Sequence, residues 1–191
     1  YRFTVDVTKG NTKAVLTVEK VGKVDLPAPD IFFGNDKMEV TDTDIYKSDQ
    51  AFTQGQMITV TGIDNLNEWW IDPDFFEKQS DGALKFLPIN GDYRVTANAV
   101  LKYFSVMALK DGKPAKLQDD GTGAIWAIGK GIGKPSVTSS EVGWEPSKAL
   151  CLAQVASKKY QLTLKAGETL KTSGDPEVIS FKFFHQNDWG G

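Results

Sequence analysis

Apolar and polar residues alternate along most of the chain. The pattern runs through Tyr1/Phe3/Val5/Val7, Ala14/Leu16/Val18, Ile58/Val60, Tyr93/Val95/Ala97, Cys151/Ala153/Val155, Tyr160/Leu162/Leu164 and Ile179/Phe181/Phe183. A period of two puts one set of side chains on one face, the pattern of a strand that buries one side. Turn residues separate the runs, at Lys9-Gly-Asn11, Asn90-Gly-Asp92, Asp111-Gly112, Asp120-Gly121 and Ala166-Gly167. Many short strands joined by Gly-rich turns predict an all-β protein of antiparallel sandwiches or barrels. Only two segments read as helix. In Asp72-Pro-Asp-Phe-Phe-Glu-Lys78, Asp72 can cap and Pro73 occupies the first helical position. Pro146 to Leu150 is the second, and both allow one or two turns.

A polar Gly/Pro stretch at Asp111–Lys116 follows the strand pattern of Tyr103–Leu109, and a new apolar run begins at Ala124-Ile-Trp-Ala-Ile128. The expected division is residues 1–112 and 113–191, two tandem antiparallel β-sandwiches of immunoglobulin-like or carbohydrate-binding-module-like build. The second is small enough to need packing against the first. The chain opens inside a strand pattern without a signal peptide or lipobox. An export signal and lipid anchor are therefore expected to lie outside it. The 113–191 unit is expected to be C-terminally incomplete, since Trp189-Gly-Gly191 reads as the middle of a hairpin.

Composition narrows the function classes. The net charge of −3 over 191 residues, with both signs interspersed, gives no electrostatic case for nucleic acid or an anionic membrane. Apolar runs are too short to span a bilayer as helices. Cys151 is the single cysteine and His185 the single histidine, which argues against a zinc site and leaves a Ser-His-Asp arrangement only one histidine to build on. No Gly-x-Ser-x-Gly elbow occurs. Gly129-Lys-Gly-Ile-Gly-Lys134 lacks the phosphate-loop spacing and is read as a flexible loop. Asp36, Glu39, Asp42 and Asp44 lack calcium-loop spacing and read as a solvated acidic loop. Asp72, Asp74 and Glu77 put carboxylates near Trp69-Trp70, as glycoside hydrolysis would need. Acidic residues at a helix start account for Asp72 and Asp74 equally. No cofactor, metal site or catalytic set is expected.

The tryptophans carry the strongest signal. Trp69-Trp70, Trp144 and Trp189 sit in polar, loop-like surroundings, and an exposed aromatic there is costly unless it binds something. One of Trp69 and Trp70 should face inward. Trp126, in Ala124–Ile128, reads as strand and core. The closing segment, Phe181-Lys-Phe-Phe-His-Gln-Asn-Asp-Trp189, runs a strand into a tip of amide, carboxylate and indole. That set suits a sugar ring, with the indole covering the C–H face and the polar groups meeting hydroxyls. A hairpin with Trp189 tucked against the core accounts for the same residues.

The order Trp126-Ala-Ile-Gly129, Gly143-Trp144-Glu-Pro146, Tyr160–Leu164, Phe181-Lys-Phe183 and Asn187-Asp-Trp189 resembles the glycan-binding domains of SusE/SusF-type outer-membrane lipoproteins of Bacteroidetes. Gly62–Trp70, Phe86-Leu-Pro and Gly91-Asp-Tyr93 resemble an upstream β-module of such proteins. The resemblance implies tandem β-sandwiches that hold polysaccharide at the cell surface without catalysis, as part of a glycan-uptake complex with other surface proteins. It implies a monomer whose sole membrane attachment is an N-terminal lipid. The matching positions are Trp144, Lys182, Asn187, Trp189 and Trp126. Asp188 adds a hydrogen-bonding group, and Trp69 and Trp70 add further candidate rings. Two other expectations stand beside it: a structural or adhesive spacer with the tryptophans as packing, and a glycan-active enzyme using Asp72, Asp74 and Asp188.

Overall fold

A computed structural model describes residues 2–10, 13–19, 21 and 28–189. The protein is all-β, with antiparallel sheets arranged as tandem sandwiches. Among the described residues no helix is long and apolar enough to cross a membrane. The largest sheet has five strands in the order Lys113–Pro114, Tyr103–Lys110, Gly91–Asn98, Ile45–Phe52, Glu39–Asp42. Its register places Val95 between Ser48 and Val106, and Ala97 between Tyr46 and Phe104. These residues share one buried face, so the alternation at Tyr93/Val95/Ala97 has its expected cause.

Two three-stranded sheets complete this sandwich. One runs Met57–Ile58, Leu84–Phe86, Phe76–Lys78, and the other Asp36–Lys37, Phe32–Phe33, Val60–Thr61. The core is aromatic. Phe33 meets Phe104 edge-on at 5.2 Å, and Phe52 stacks on Phe86 at 4.8 Å. Such offset and edge contacts add to the area term that drives burial.

In the C-terminal segment the central strand is Trp126–Gly133. Leu150–Cys151 and Glu141–Gly143 pair in succession along one edge, and Ser180–Phe184 along the other. The Gly129–Lys134 stretch, expected as a flexible loop, is thus mostly a buried strand. Its glycines serve close approach. A Cβ on Gly129 would lie 2.3 Å from the Phe181 Cα and 2.3 Å from the Ser180 carbonyl oxygen, and its φ of +147° suits glycine.

The two segments share an interior. Ala124, Trp126, Cys151 and Ala153 belong to the same buried cluster as Phe33, Phe86 and Phe104. Ala127, Ile128, Ile132, Val142 and Leu152 form a second cluster further along. Backbone bonds tie the segments as well, with Ile89 N donating to Gln154 O at 2.8 Å and Leu117 N to His185 O at 2.8 Å.

Three local expectations are corrected. Asp72–Lys78 is not a helix. Asp72 caps a single turn, accepting Phe76 N at 2.9 Å through its carbonyl and Asp74 N at 3.0 Å through Oδ1, and Phe76–Lys78 then pairs with Leu84–Phe86 as a strand. The Arg2–Asp6 and Val15–Glu19 strands pair as a hairpin, Phe3 opposite Val18 and Val5 opposite Leu16. Among the described residues nothing covers either of its faces, and a two-stranded ribbon without a covering layer has no core to face; Tyr1 lies outside the described residues. In Ser180–Phe184, Phe181 and Phe184 pack on the second cluster while Phe183 is 59% exposed. This is an edge strand, and among the described residues no layer covers Phe183.

Candidate functional site

The C-terminal sheet brings Trp144 and Trp189 together. Gly143 pairs with Gly129 on one edge of the central strand, and Trp144 follows it in the turn that leads to Pro146. Phe181 and Phe184 pair on the other edge, and the chain continues through His185–Trp189. The two indoles meet with ring centroids 6.2 Å apart and a 31° interplanar angle. Phe184 supports Trp189 edge-on at 5.7 Å. Trp144 remains 38% exposed and Trp189 48% exposed. Two half-exposed rings, one from each edge, make an aromatic ledge rather than a core contact.

The tip is held locally. Asp188 Oδ1 accepts the Trp189 amide at 2.7 Å, and Gln186 Nε2 donates to the Trp189 carbonyl at 3.3 Å. These bonds fix the turn that presents the indole. Lys182 and Asp188 are exposed and Asn187 is half-buried on the strand and turn that carry the ledge. Across the ledge, Glu145 and Lys148 form an exposed ion pair at 2.9 Å.

The remaining tryptophans divide differently. Trp126 is fully buried and its Nε1 donates to the Ala115 carbonyl at 3.0 Å, so it is core, as its strand pattern implied, and offers no face to a ligand. Trp69 is 6% exposed and stacks on Phe104 at 4.7 Å, which also removes it from the ligand-facing set. Trp70 is the outward member of the adjacent pair. It is half-buried beside Tyr103, bridged to it through the backbone, and is not part of the Trp144–Trp189 ledge.

A buried charge network lies where the segments meet, and the sequence pattern did not announce it. The Lys134 ammonium donates to both oxygens of Asp72 and to Asp74 Oδ2, each at 2.8 Å. Asp74 also accepts Gln161 Nε2 at 2.8 Å and the Thr163 amide and hydroxyl at 2.6 Å each. Burial pushes Asp72 upward, and Lys134 only partly offsets this. Burial acts likewise on Asp74, but Lys134 and Thr163 outweigh it and hold that carboxyl below its ordinary value. The ammonium occupies the space between the two carboxylates, where a scissile bond would have to lie. Glu141 is held low by Ser173, which donates its hydroxyl to Oε1, and by the Gly131 amide. Cys151 is buried, and burial pushes its thiol up to about 12. Such a thiol is unreactive.

The chain belongs to the family described as Domain of unknown function (DUF5125), which matches residues 12–117. Residues 120–191 match a second family, Domain of unknown function (DUF5121). No curated protein and no solved structure matches the chain.

Proposed function

We propose that this chain is a non-catalytic polysaccharide-binding protein, a SusE/SusF-like component of a bacterial glycan-uptake system held at the outer-membrane surface through an anchor outside this sequence. The observation that carries the reading is the Trp144–Trp189 ledge. The two indoles come from opposite edges of one sheet, support each other, and still keep much of their surface open. Paired rings at a modest angle can cover the C–H faces of successive sugar units. Lys182, Asn187 and Asp188 stand on the same strand and turn to supply hydrogen bonds, each contributing on the order of 1 kcal/mol net. Affinity at one such site is low, and engagement of several sites along one polysaccharide raises it. The Lys134 ammonium wedged between Asp72 and Asp74 favours binding over hydrolysis at those carboxylates.

Affinity electrophoresis against a panel of soluble polysaccharides tests this. At least one polysaccharide should retard the wild type, and W144A/W189A should migrate as in a glycan-free gel. A folded wild type retarded by none of them sinks the reading. A second reading, a spacer that packs on a neighbouring protein, draws on Phe183 and Ile179, exposed along the same edge. It would be favoured if Trp144 and Trp189 became shielded from a fluorescence quencher on adding such a neighbour but not on adding glycan.

A further inference from the structure

A cavity of about 730 Å³ opens between the outer face of the Tyr103–Lys110 strand and the Val137–Leu150 segment. That size falls within the roughly 300–1,000 Å³ typical of sites for small organic ligands. It lies where the DUF5125 and DUF5121 segments meet, and its walls come from both. From one side come Trp70, Asn98, Tyr103 and Ser105, and from the other Ser139 and Ser140. Trp70 and Tyr103 are half-buried neighbours, anchored by the Trp70 amide donating to the Lys102 carbonyl at 2.8 Å. Rings held this way offer apolar area at little entropic cost.

The charges around the cavity identify the ligand class. At its floor, Lys134 spends all three N–H donors on Asp72 and Asp74 and has none left for an anion. On the wall, Glu141 Oε1 already accepts the Gly131 amide and the Ser173 hydroxyl. At the rim, Glu145 is paired with Lys148. Each of these charged groups already has a partner within the protein, and no lining ammonium is left over, which disfavours an anionic ligand. The rest of the lining combines the rings of Trp70 and Tyr103 and aliphatic groups such as Leu101 and Met107 with hydroxyl and amide groups, a mixed surface suited to a neutral, polyhydroxylated molecule with apolar C–H faces. We infer that this cavity is a second carbohydrate site, taking a short neutral oligosaccharide between Trp70/Tyr103 and Ser139/Ser140. It shares the ligand class of the proposed function but not its rings, and touches the ledge only through the Gly143–Glu145 turn. The inference therefore stands or falls separately from the ledge.

The five indole N–H signals in a proton–nitrogen NMR spectrum separate the two sites. The probes are neutral hexasaccharides of glucose, xylose and mannose in α and β linkage. Trp126, bonded to Ala115, serves as the silent internal reference. The expected result is a saturable shift of the Trp70 signal that persists in W144A/W189A. In that background Tyr103→Ala should weaken the response by about tenfold in Kd, and Ser105→Trp, which fills the cavity from its exposed wall, should abolish it. A shift confined to Trp144 and Trp189 overturns the second site and leaves the ledge standing. A Trp70 shift that vanishes in W144A/W189A overturns it as an independent site. A shift of Trp70 alone supports the cavity and removes the ledge, and silence of all three signals with every probe overturns both.

Discussion

Both carboxylate oxygens of Asp72 lie 2.8 Å from the ammonium of Lys134, 62 positions away along the chain. The pair is buried, and Asp74 completes it at the same distance. Taking three charges out of water is costly, and their mutual attraction offsets that only while every member is present. Lys134→Met should therefore lower unfolding free energy by about 3–5 kcal/mol, because two buried carboxylates lose their counter-ion. Urea denaturation followed by circular dichroism measures this. A loss under 1 kcal/mol would show the network to be dispensable.

The same network sets an acid response. Asp74 is held below its ordinary value in the folded state, so it contributes stability above its unfolded pKa that is lost as pH falls through the folded one. Asp49, lowered by its hydrogen bonds from Arg94, and Glu141 act in the same direction. Asp72 is raised, so its contribution is present at low pH and lost as pH rises. The melting temperature should fall as pH drops below about 4. Asp74→Asn should flatten that fall and Asp72→Asn should steepen it. Melting curves between pH 3 and 6 for the three proteins check the signs.

Gly129→Ala probes the seam between the central strand and Ser180–Phe184. The added Cβ meets the Phe181 Cα and the Ser180 carbonyl of the paired strand, and backbone cannot rotate aside as a side chain can. A loss of about 1–3 kcal/mol is expected, with partial separation of the strands. Displacing that strand moves Trp189 away from Trp144, so tryptophan emission should shift to the red and become more easily quenched. Wild-type emission together with unchanged stability would contradict the pairing.

Tryptophan replacements should fall into two groups. Trp126→Ala empties a fully buried site and strands the Ala115 carbonyl, at a cost of about 3–5 kcal/mol. Trp144→Ala and Trp189→Ala remove half-exposed rings, and each should cost about 1 kcal/mol or less while eliminating polysaccharide retention. Comparable stability losses at all three positions would indicate that the ledge is packing.

The sandwich was legible in the sequence where a strand has one core face and a complete neighbourhood. Tyr93/Val95/Ala97 is such a case, since strands flank it on both sides and a layer covers it. The same alternation misled at Phe3/Val5, where among the described residues two strands pair without a third. It also misled at Phe183, because periodicity reports side and not cover. The Asp72-Pro73 pair read as a helix start, and the same capping chemistry also begins a lone turn before a strand. Gly129 and Gly131 looked like loop composition because the backbones that approach them, at Ser180–Phe181 and at Lys171 and Ile179, lie far away in sequence. The Lys134 network and the meeting of Trp144 with Trp189 are long-range pairings, which no local pattern encodes. The polar tip made Trp189 a candidate in the sequence, and its partner ring emerged only from the sheet.

The indole of Trp126, seated on the carbonyl of Ala115, has a consequence for heredity. Two sequence families meet between residues 117 and 120, yet the interior crosses that line. A recombination event falling there would not exchange a finished part. It would deliver an indole to a foreign socket, and leave behind a socket with nothing to fill it. Either segment can then change neighbours only by bringing, or finding, a matching surface.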